Sequence, residues 1–230
     1  MTIGIIVVAG GRGVRMGAPT PKQFLALSSD RCVLEAAVER MAEALPRARI
    51  AVVVPKDCID TWRRINKEHD FKIEHTVIPG GATRFESVKK GLEAMPDADV
   101  IAVTDGVRPF VSCELIRRLV EEAEKHGSAV ASTPLADTIR RRKETASERA
   151  DRDEFFAVQT PQVFRGDILR EAYRAAGDGD GFTDDASVAE AYGITVRYSA
   201  GERSNIKITS PEDMPVARAL YAMERECGRG

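Results

Sequence analysis

Through the first 133 residues, short apolar runs alternate with segments in which apolar side chains return every three or four positions. Ile3–Val8 carries no charge and predicts a strand buried on both faces. Leu34, Ala37, Val38, Met41 and Leu45 then share one helical face, and Ile50–Val54 reads as a second strand stopped by Pro55. Ile59, Trp62 and Ile65 mark the inward face of a second helix, Lys72–Ile78 a third strand, and Phe85, Val88 and Leu92 a third helix. Asp99–Val103 is the fourth strand, Ser112 the N-cap of a helix bearing Leu115, Ile116, Leu119, Val120 and Ala123, and Ala129–Ser132 the fifth strand. This alternation predicts an α/β fold with a doubly wound, mostly parallel sheet.

The pattern dissolves over 134–153, where Arg140, Arg141, Arg142, Lys143 and Glu144 sit in a stretch of little apolar content. Such a segment is either a solvated hairpin or an arm reaching to another subunit. Order returns with Phe155–Val158, helices near Ile168–Tyr173 and Ala186–Tyr192, and strands at Ile194–Tyr198 and Asn205–Ile208. Ser210, Pro211 and Asp213 then read as N-cap, N1 and N3 of a last helix. No internal repeat is visible, and 230 residues suit one domain, 1–230, with an excursion.

Composition narrows the classes. A formal charge of −2 and a pI near 6.0 give no general attraction for nucleic acid or anionic lipid. Cys32, Cys58, Cys113 and Cys227 form no CxxC pair, which argues against structural zinc or a dithiol redox site and for reduced thiols in a cytoplasmic protein. The amino-terminal apolar run lacks a charged n-region and is too short to span a bilayer, so neither a leader nor a membrane anchor is expected.

Ligands of open α/β sheets bind beyond the carboxyl ends of the strands, which directs attention to four segments. The first strand runs into AGGRGVRMG and then PKQF. Ala9, Gly10, Gly11, Arg12 and Gly13 let backbone N–H groups converge on an anion, with Arg15 and Lys22 as cations beyond. No Lys-Ser or Lys-Thr pair follows Gly17, which excludes a Walker A loop, and Met16 stands where a dinucleotide fingerprint needs a small residue. Cations on both sides of a glycine turn suit a nucleoside triphosphate; the plainer reading is a turn that merely closes a loop. GGATRFESV follows the third strand and can present N–H groups and Ser87 to a ligand. TDGVRPF places Asp105 where a carboxylate can hold Mg2+, against the plainer role of turn former or helix cap. Lys207 lies on the predicted NIKIT strand. DGDGFTDD fails the calcium-loop pattern at Thr183 and Ala189, and His69, His75 and His126 show neither metal-ligand nor triad spacing.

AGGRGVRMG, PKQF, GGATRFESV, TDGVRPF, QTPQVF, TDDAS and NIKITSPED follow one another in the order seen in the 2-C-methyl-D-erythritol 4-phosphate cytidylyltransferases of the non-mevalonate isoprenoid pathway, which the chain resembles over nearly its whole length. The resemblance implies a Rossmann-like nucleotidyltransferase sheet and transfer of CMP from CTP to methylerythritol phosphate with release of pyrophosphate. It implies that Arg15 and Lys22 stabilise charge on the α-phosphorus, that Asp105 holds magnesium, that Gly81 and Ser87 cradle cytosine, and that Gly106 lies at the ribose. Thr138 and Arg152 match residues lent by a neighbouring subunit, whereas Thr160, Thr183 and Lys207 match positions near the alcohol phosphate, with Arg152 and Lys207 steering its attack. The implied assembly is a homodimer exchanging the 134–153 arm. The sequence departs from the usual family pattern at Thr104, at Gly106 with Val107, and at Val14.

Two readings compete. A ribitol 5-phosphate cytidylyltransferase shares the first loop, and GVRPF leans toward it, while the TPQ, TDDAS and NIKIT segments lean back. A non-catalytic nucleotide-binding module keeps the glycines but does not need Arg15, Lys22, Asp105 and Lys207 together. A nicotinamide enzyme is disfavoured by Met16 and Pro55.

Overall fold

The computed structural model describes every residue except 12–19, 180, 227 and 229–230. Strands β1 (Ile3–Val8), β2 (Arg49–Val54), β3 (Thr76–Pro79), β4 (Val100–Asp105), β5 (Ser128–Pro134), β8 (Phe156–Arg165) and β9 (Tyr198–Ala200) form one sheet in the order β3-β2-β1-β4-β8-β5-β9. All neighbours are parallel except β8, which runs antiparallel to both β4 and β5. A separate hairpin, β6 (Arg140–Arg142) and β7 (Ser147–Arg149), occupies the segment between β5 and β8.

The alternation of side chains along β1 and β2 divides the core. Ile5, Val7, Val52 and Val54 pack against α1 (Val33–Ala44), α2 (Ile59–Glu68) and α4 (Cys113–His126). Ile6, Val8, Ala51 and Val53 pack on the other face against α3 (Arg84–Glu93), α5 (Gly166–Ala175) and α6 (Asp185–Ala191). Strands covered on both faces need unbroken apolar sequence, which explains why β1 and β2 are so plain in the chain. The last helix, α7 (Asp213–Glu226), closes a smaller cluster with Val107, Phe110 and Ile208. Thr83 and Ser112 cap α3 and α4 as side-chain acceptors.

Several elements differ from expectation. The third strand is confined to Thr76–Pro79, because Ile73 O accepts from His75 Nδ1 at 2.7 Å instead of joining a ladder. The expected strand at Ile194–Tyr198 is displaced to β9, and the one at Asn205–Ile208 is not a strand. Side chains hold that segment instead: Asn205, fully buried, donates to Thr160 O at 2.8 Å, and Arg108 donates to Asn205 O at 2.7 Å. Helix α7 begins at Asp213, whose carboxylate accepts from the Thr209 and Ser210 N–H groups at 2.7 and 2.9 Å, so the reciprocal half of the expected cap is what forms. Finally, β8 extends far past Val158 and bulges, setting Gln159, Thr160 and Pro161 against the single residue Ala131 of β5.

Candidate active site

Strand order reverses between β1 and β4, and the crevice at that reversal is where an open α/β sheet binds ligands. The two strand ends lie in register, Val8 beside Asp105, and Gly106 N–H donates to Val8 O at 2.8 Å. A cleft of about 1150 Å3 opens there, walled by Gly10 and Gly11, Lys22, the 80–84 loop, Ser87, Asp105 and Lys207. The structure thus brings together Ala9, Gly10, Gly11, Lys22, Gly81, Ser87, Asp105 and Lys207. Arg12, Gly13 and Arg15 lie outside the described residues.

Asp105 is the electrostatic centre. Its side chain is only 10% exposed, and three cations face it: Lys207 Nζ at 2.9 Å and Arg108 Nε at 3.5 Å from Oδ2, and Arg84 Nε at 3.9 Å from Oδ1. Burial alone would raise its pKa, but Lys207, Arg84 and Arg108 outweigh that and hold it below the ordinary carboxylate value. Its backbone N–H donates to Thr160 Oγ1 at 3.0 Å, so the β8 bulge supports the acid from beneath. Gln159 ties the same bulge to the loop before Lys207 by donating to Glu202 O at 2.7 Å. Lys207 therefore reaches the acid without belonging to a strand.

The loop after β3 is built around one hydroxyl. Ser87 Oγ donates to Thr83 O at 2.9 Å and accepts from Gly81 N–H at 3.1 Å, while Ala82 N–H reaches Glu86 Oε2 at 2.9 Å. Gly81 is required because a Cβ there would overlap Glu86 Cβ and lie 2.6 Å from its Oε2. After the first strand, Gln23 Nε2 donates to Ala9 O at 2.9 Å, and Phe24 stacks on Trp62 with ring centroids 6.3 Å apart, so PKQF is fixed to the end of β1 and to α2.

Other expected site residues fall elsewhere. Gly106 turns its missing Cβ toward Leu34 and Ala9, at 2.6 and 3.0 Å, so packing demands smallness there and only its backbone can meet a ribose. Thr160 is buried and spent on the Asp105 N–H. Thr183 is exposed beside the start of α6. Thr138 and Arg152 are exposed on the excursion and do not line this cleft; Arg152 donates to Ala136 O at 3.1 Å.

Sequence reasoning singled out neither Arg84 nor Arg108, although both stand inside the quoted GGATRFESV and TDGVRPF strings. It also missed Asp185, inside TDDAS, which is fully buried and grips Arg84. The available signal was a charged residue set among small and apolar neighbours, just past a strand for Arg108 and at a helix start for Arg84 and Asp185.

For Mg2+, the donor set is a single carboxylate. No group of three or more His, Cys, Asp or Glu could hold a metal among the described residues. Lys207 and Arg108 gather on Oδ2, while Oδ1 meets only Arg84 Nε, at 3.9 Å and beyond hydrogen-bond distance. One carboxylate plus phosphate oxygens is a normal magnesium environment, so the residues fit an ion that arrives with a nucleotide.

A switch-point crevice of this size, walled by two glycine-rich segments and with cations gathered near a lone acid, suits a triphosphate undergoing substitution and defines the class as an α/β nucleotidyltransferase. The model of the 2-C-methyl-D-erythritol 4-phosphate cytidylyltransferase family (IspD) matches residues 3–223. A protein of that name from Bacteroides thetaiotaomicron is 43% identical over 216 residues, spanning 94% of this chain and 98% of its own. One from Bacillus pumilus is 38% identical over 225 residues, spanning 96% and 97%. The crystal structure of the cytidylyltransferase of that name from Thermus thermophilus superposes with a TM-score of 0.79 at 32% identity, covering 96% of this chain and 100% of that one. The chain belongs to the 2-C-methyl-D-erythritol 4-phosphate cytidylyltransferase family.

Proposed function

We propose that the chain transfers CMP from CTP to 2-C-methyl-D-erythritol 4-phosphate and releases pyrophosphate, by in-line attack of the substrate phosphate on the α-phosphorus. The observation that carries this reading is the convergence of Lys207 and two arginines around Asp105, in a cleft that Lys22 and the two glycine-rich segments also line. Bringing two phosphates together is opposed by their charge, and preset cations held by the fold offset that repulsion without reorganising during reaction. Lys22, with Arg15 of the same loop, stabilises the charge growing at the α-phosphorus. Lys207 and Arg152 orient the incoming phosphate. The 81–87 segment offers the remaining Ser87 lone pair to the base, and the Gly10 and Gly11 N–H groups serve the phosphates.

Asp105 would hold magnesium together with the triphosphate, and the ion would screen phosphate charge. Thr160 holds the backbone N–H of that residue, and Thr183 stands at the edge used by the alcohol phosphate.

We further read the excursion as the arm of a cytoplasmic homodimer. Thr138 and Arg152 do not line their own cleft, and Phe155 and Phe156 at the arm's root are 41% and 46% exposed, which supports their use by a second copy. Among the described residues no helix is long and apolar enough to cross a membrane. The ribitol phosphate alternative is not favoured, since the family model and the relatives above carry the methylerythritol name. Pyrophosphate release is measured with CTP or UTP and each alcohol phosphate in the presence of Mg2+. The reading requires CTP with methylerythritol phosphate to be the best pair, and failure of that pair to react refutes it.

A further inference from the structure

Arg84 and Asp185 each occupy the first position of a helix, following the caps Thr83 of α3 and Asp184 of α6. A helix start carries partial positive charge, so a guanidinium there is misplaced unless an anion compensates it. Asp185 does so with both oxygens: Arg84 Nη1 to Oδ1 is 3.0 Å and Nη2 to Oδ2 is 2.6 Å. The carboxylate has no exposed side-chain area and takes a further bond from Tyr173 OH at 2.6 Å. Gln162 Oε1 accepts from the Asp185 and Ala186 N–H groups at 2.9 and 2.8 Å, and its amide donates to Asp184 Oδ2 at 2.9 Å. Strand β8, α5 and α6 thereby hold one end of the pair rigidly.

The other end belongs to the first turn of α3, which carries Ser87 and directly follows the loop of Gly81. On the Asp185 side, the cap Asp184 is preceded directly by Thr183, so the turn before α6 is tied to the same carboxylate. We propose that Arg84 is a positioning residue which, through its two-pronged grip on Asp185, sets the distance between the nucleotide loop and the Thr183 turn. The third edge of the same guanidinium faces Asp105 at 3.9 Å, so the grip also fixes one wall of the acid's surroundings. This rests on the transferase reading above and adds a coupling between its two substrates.

The test uses Arg84→Lys, Asp185→Asn and the two combined. CTP affinity is measured calorimetrically with Mg2+ and no alcohol phosphate, KM is measured for both substrates, and melting temperature serves as the control for folding. Asp185 does not line the cleft, so an effect on CTP travels either through Arg84 or through Tyr173, which Asp185 also holds and which stacks on Phe85; the double variant separates the two, because loss through Tyr173 would add to that of Arg84→Lys. Asp185→Asn is expected to weaken CTP binding about tenfold and to raise the KM for the alcohol phosphate similarly. Adding Arg84→Lys is expected to change either value by no more than about twofold further, because both changes act on one contact.

Parental CTP affinity and parental KM values in folded single variants, with only the melting temperature lowered, overturn the proposal, as do fully additive losses. Should a single variant not fold, Arg84→Met with Asp185→Asn removes both charges together and is read in its place. Parental CTP affinity in that folded pair is equally fatal. A parent chain that binds CTP but releases no pyrophosphate with methylerythritol phosphate fails the transferase reading instead and leaves the calorimetric comparison intact.

Discussion

Gly81→Ala isolates the nucleotide loop from the rest of the cleft. The added methyl would overlap Glu86 Cβ and stand 2.6 Å from Glu86 Oε2 and 3.2 Å from the Glu86 carbonyl carbon. Contact of this kind is relieved only by movement on the order of 1 Å. Glu86 cannot supply it, because its neighbours Phe85 and Val88 are locked in the core at 4% and 0% exposure. The loop must move instead, which strains or breaks Gly81 N–H to Ser87 Oγ and Ala82 N–H to Glu86 Oε2. Both lie where water can replace them, so the loss of stability is about 1–2 kcal/mol, or a melting temperature lower by a few degrees. Misplacement of a positioning loop by that distance costs about 10²-fold in rate. The assay is pyrophosphate release against CTP concentration, with kcat/KM for CTP expected to fall about 10²-fold while the melting temperature falls only slightly. Ser87→Ala, which frees the Gly81 N–H without adding bulk, is expected to lose less, about tenfold. A Gly81→Ala variant with the parental kcat/KM for CTP would refute the loop's assignment.

Lys22→Ala and Arg15→Ala are each expected to lower turnover at least about 10²-fold with the fold retained by circular dichroism, and parental turnover in either removes that residue from the mechanism. Mixing Lys22→Ala with Arg152→Ala under conditions that exchange subunits is expected to restore about a quarter of parental activity, since half the dimers are mixed and each has one intact site of two; no recovery, despite exchange shown by mass spectrometry, counts against the shared site. Burial, and then the charge of Glu35, pushes the Cys32 thiol up to about 12, so at neutral pH it should alkylate far more slowly than the less buried Cys58; equal labelling rates would contradict its placement. Because the folded thiol titrates above its unfolded value of 9.0, its contribution to stability is intact below that value and lost as pH rises toward about 12. Cys32→Ala should therefore show a shallower alkaline decline in urea midpoint than the parent, and identical declines would exclude this thiol as a source.

The sheet was legible where burial on both faces forced unbroken apolar runs, as in β1, β2 and β4, and the helices were legible where one stripe faces the core, as in α1 and α4. Reading failed where side chains replace the backbone ladder. Lys207 was assigned to a strand because NIKIT alternates like one, yet Asn205, Gln159 and Arg108 hold it in place by bonds between residues more than forty positions apart, which no local pattern encodes. The length of β8 was hidden by Pro161 and by polar Gln159, Thr160 and Gln162, whose side chains bond the loop before Lys207, the Asp105 N–H and the start of α6. Asp105 and Lys207 were found because a charge at a strand end is conspicuous. Asp185 was passed over because an acid at a helix start already has an ordinary explanation as a favourable first-turn residue.

The reversed direction of β8 has a mechanical corollary. Its first residue, Phe156, emerges from the excursion, and four positions later the same strand presents the hydroxyl that supports the Asp105 amide. Pulling on the hairpin therefore tugs at the floor beneath the carboxylate through the short helical turn Arg152–Glu154 and the first residues of β8, with nothing but extended strand between Phe156 and Thr160. A wedge driven under the hairpin need never enter the crevice to disable it.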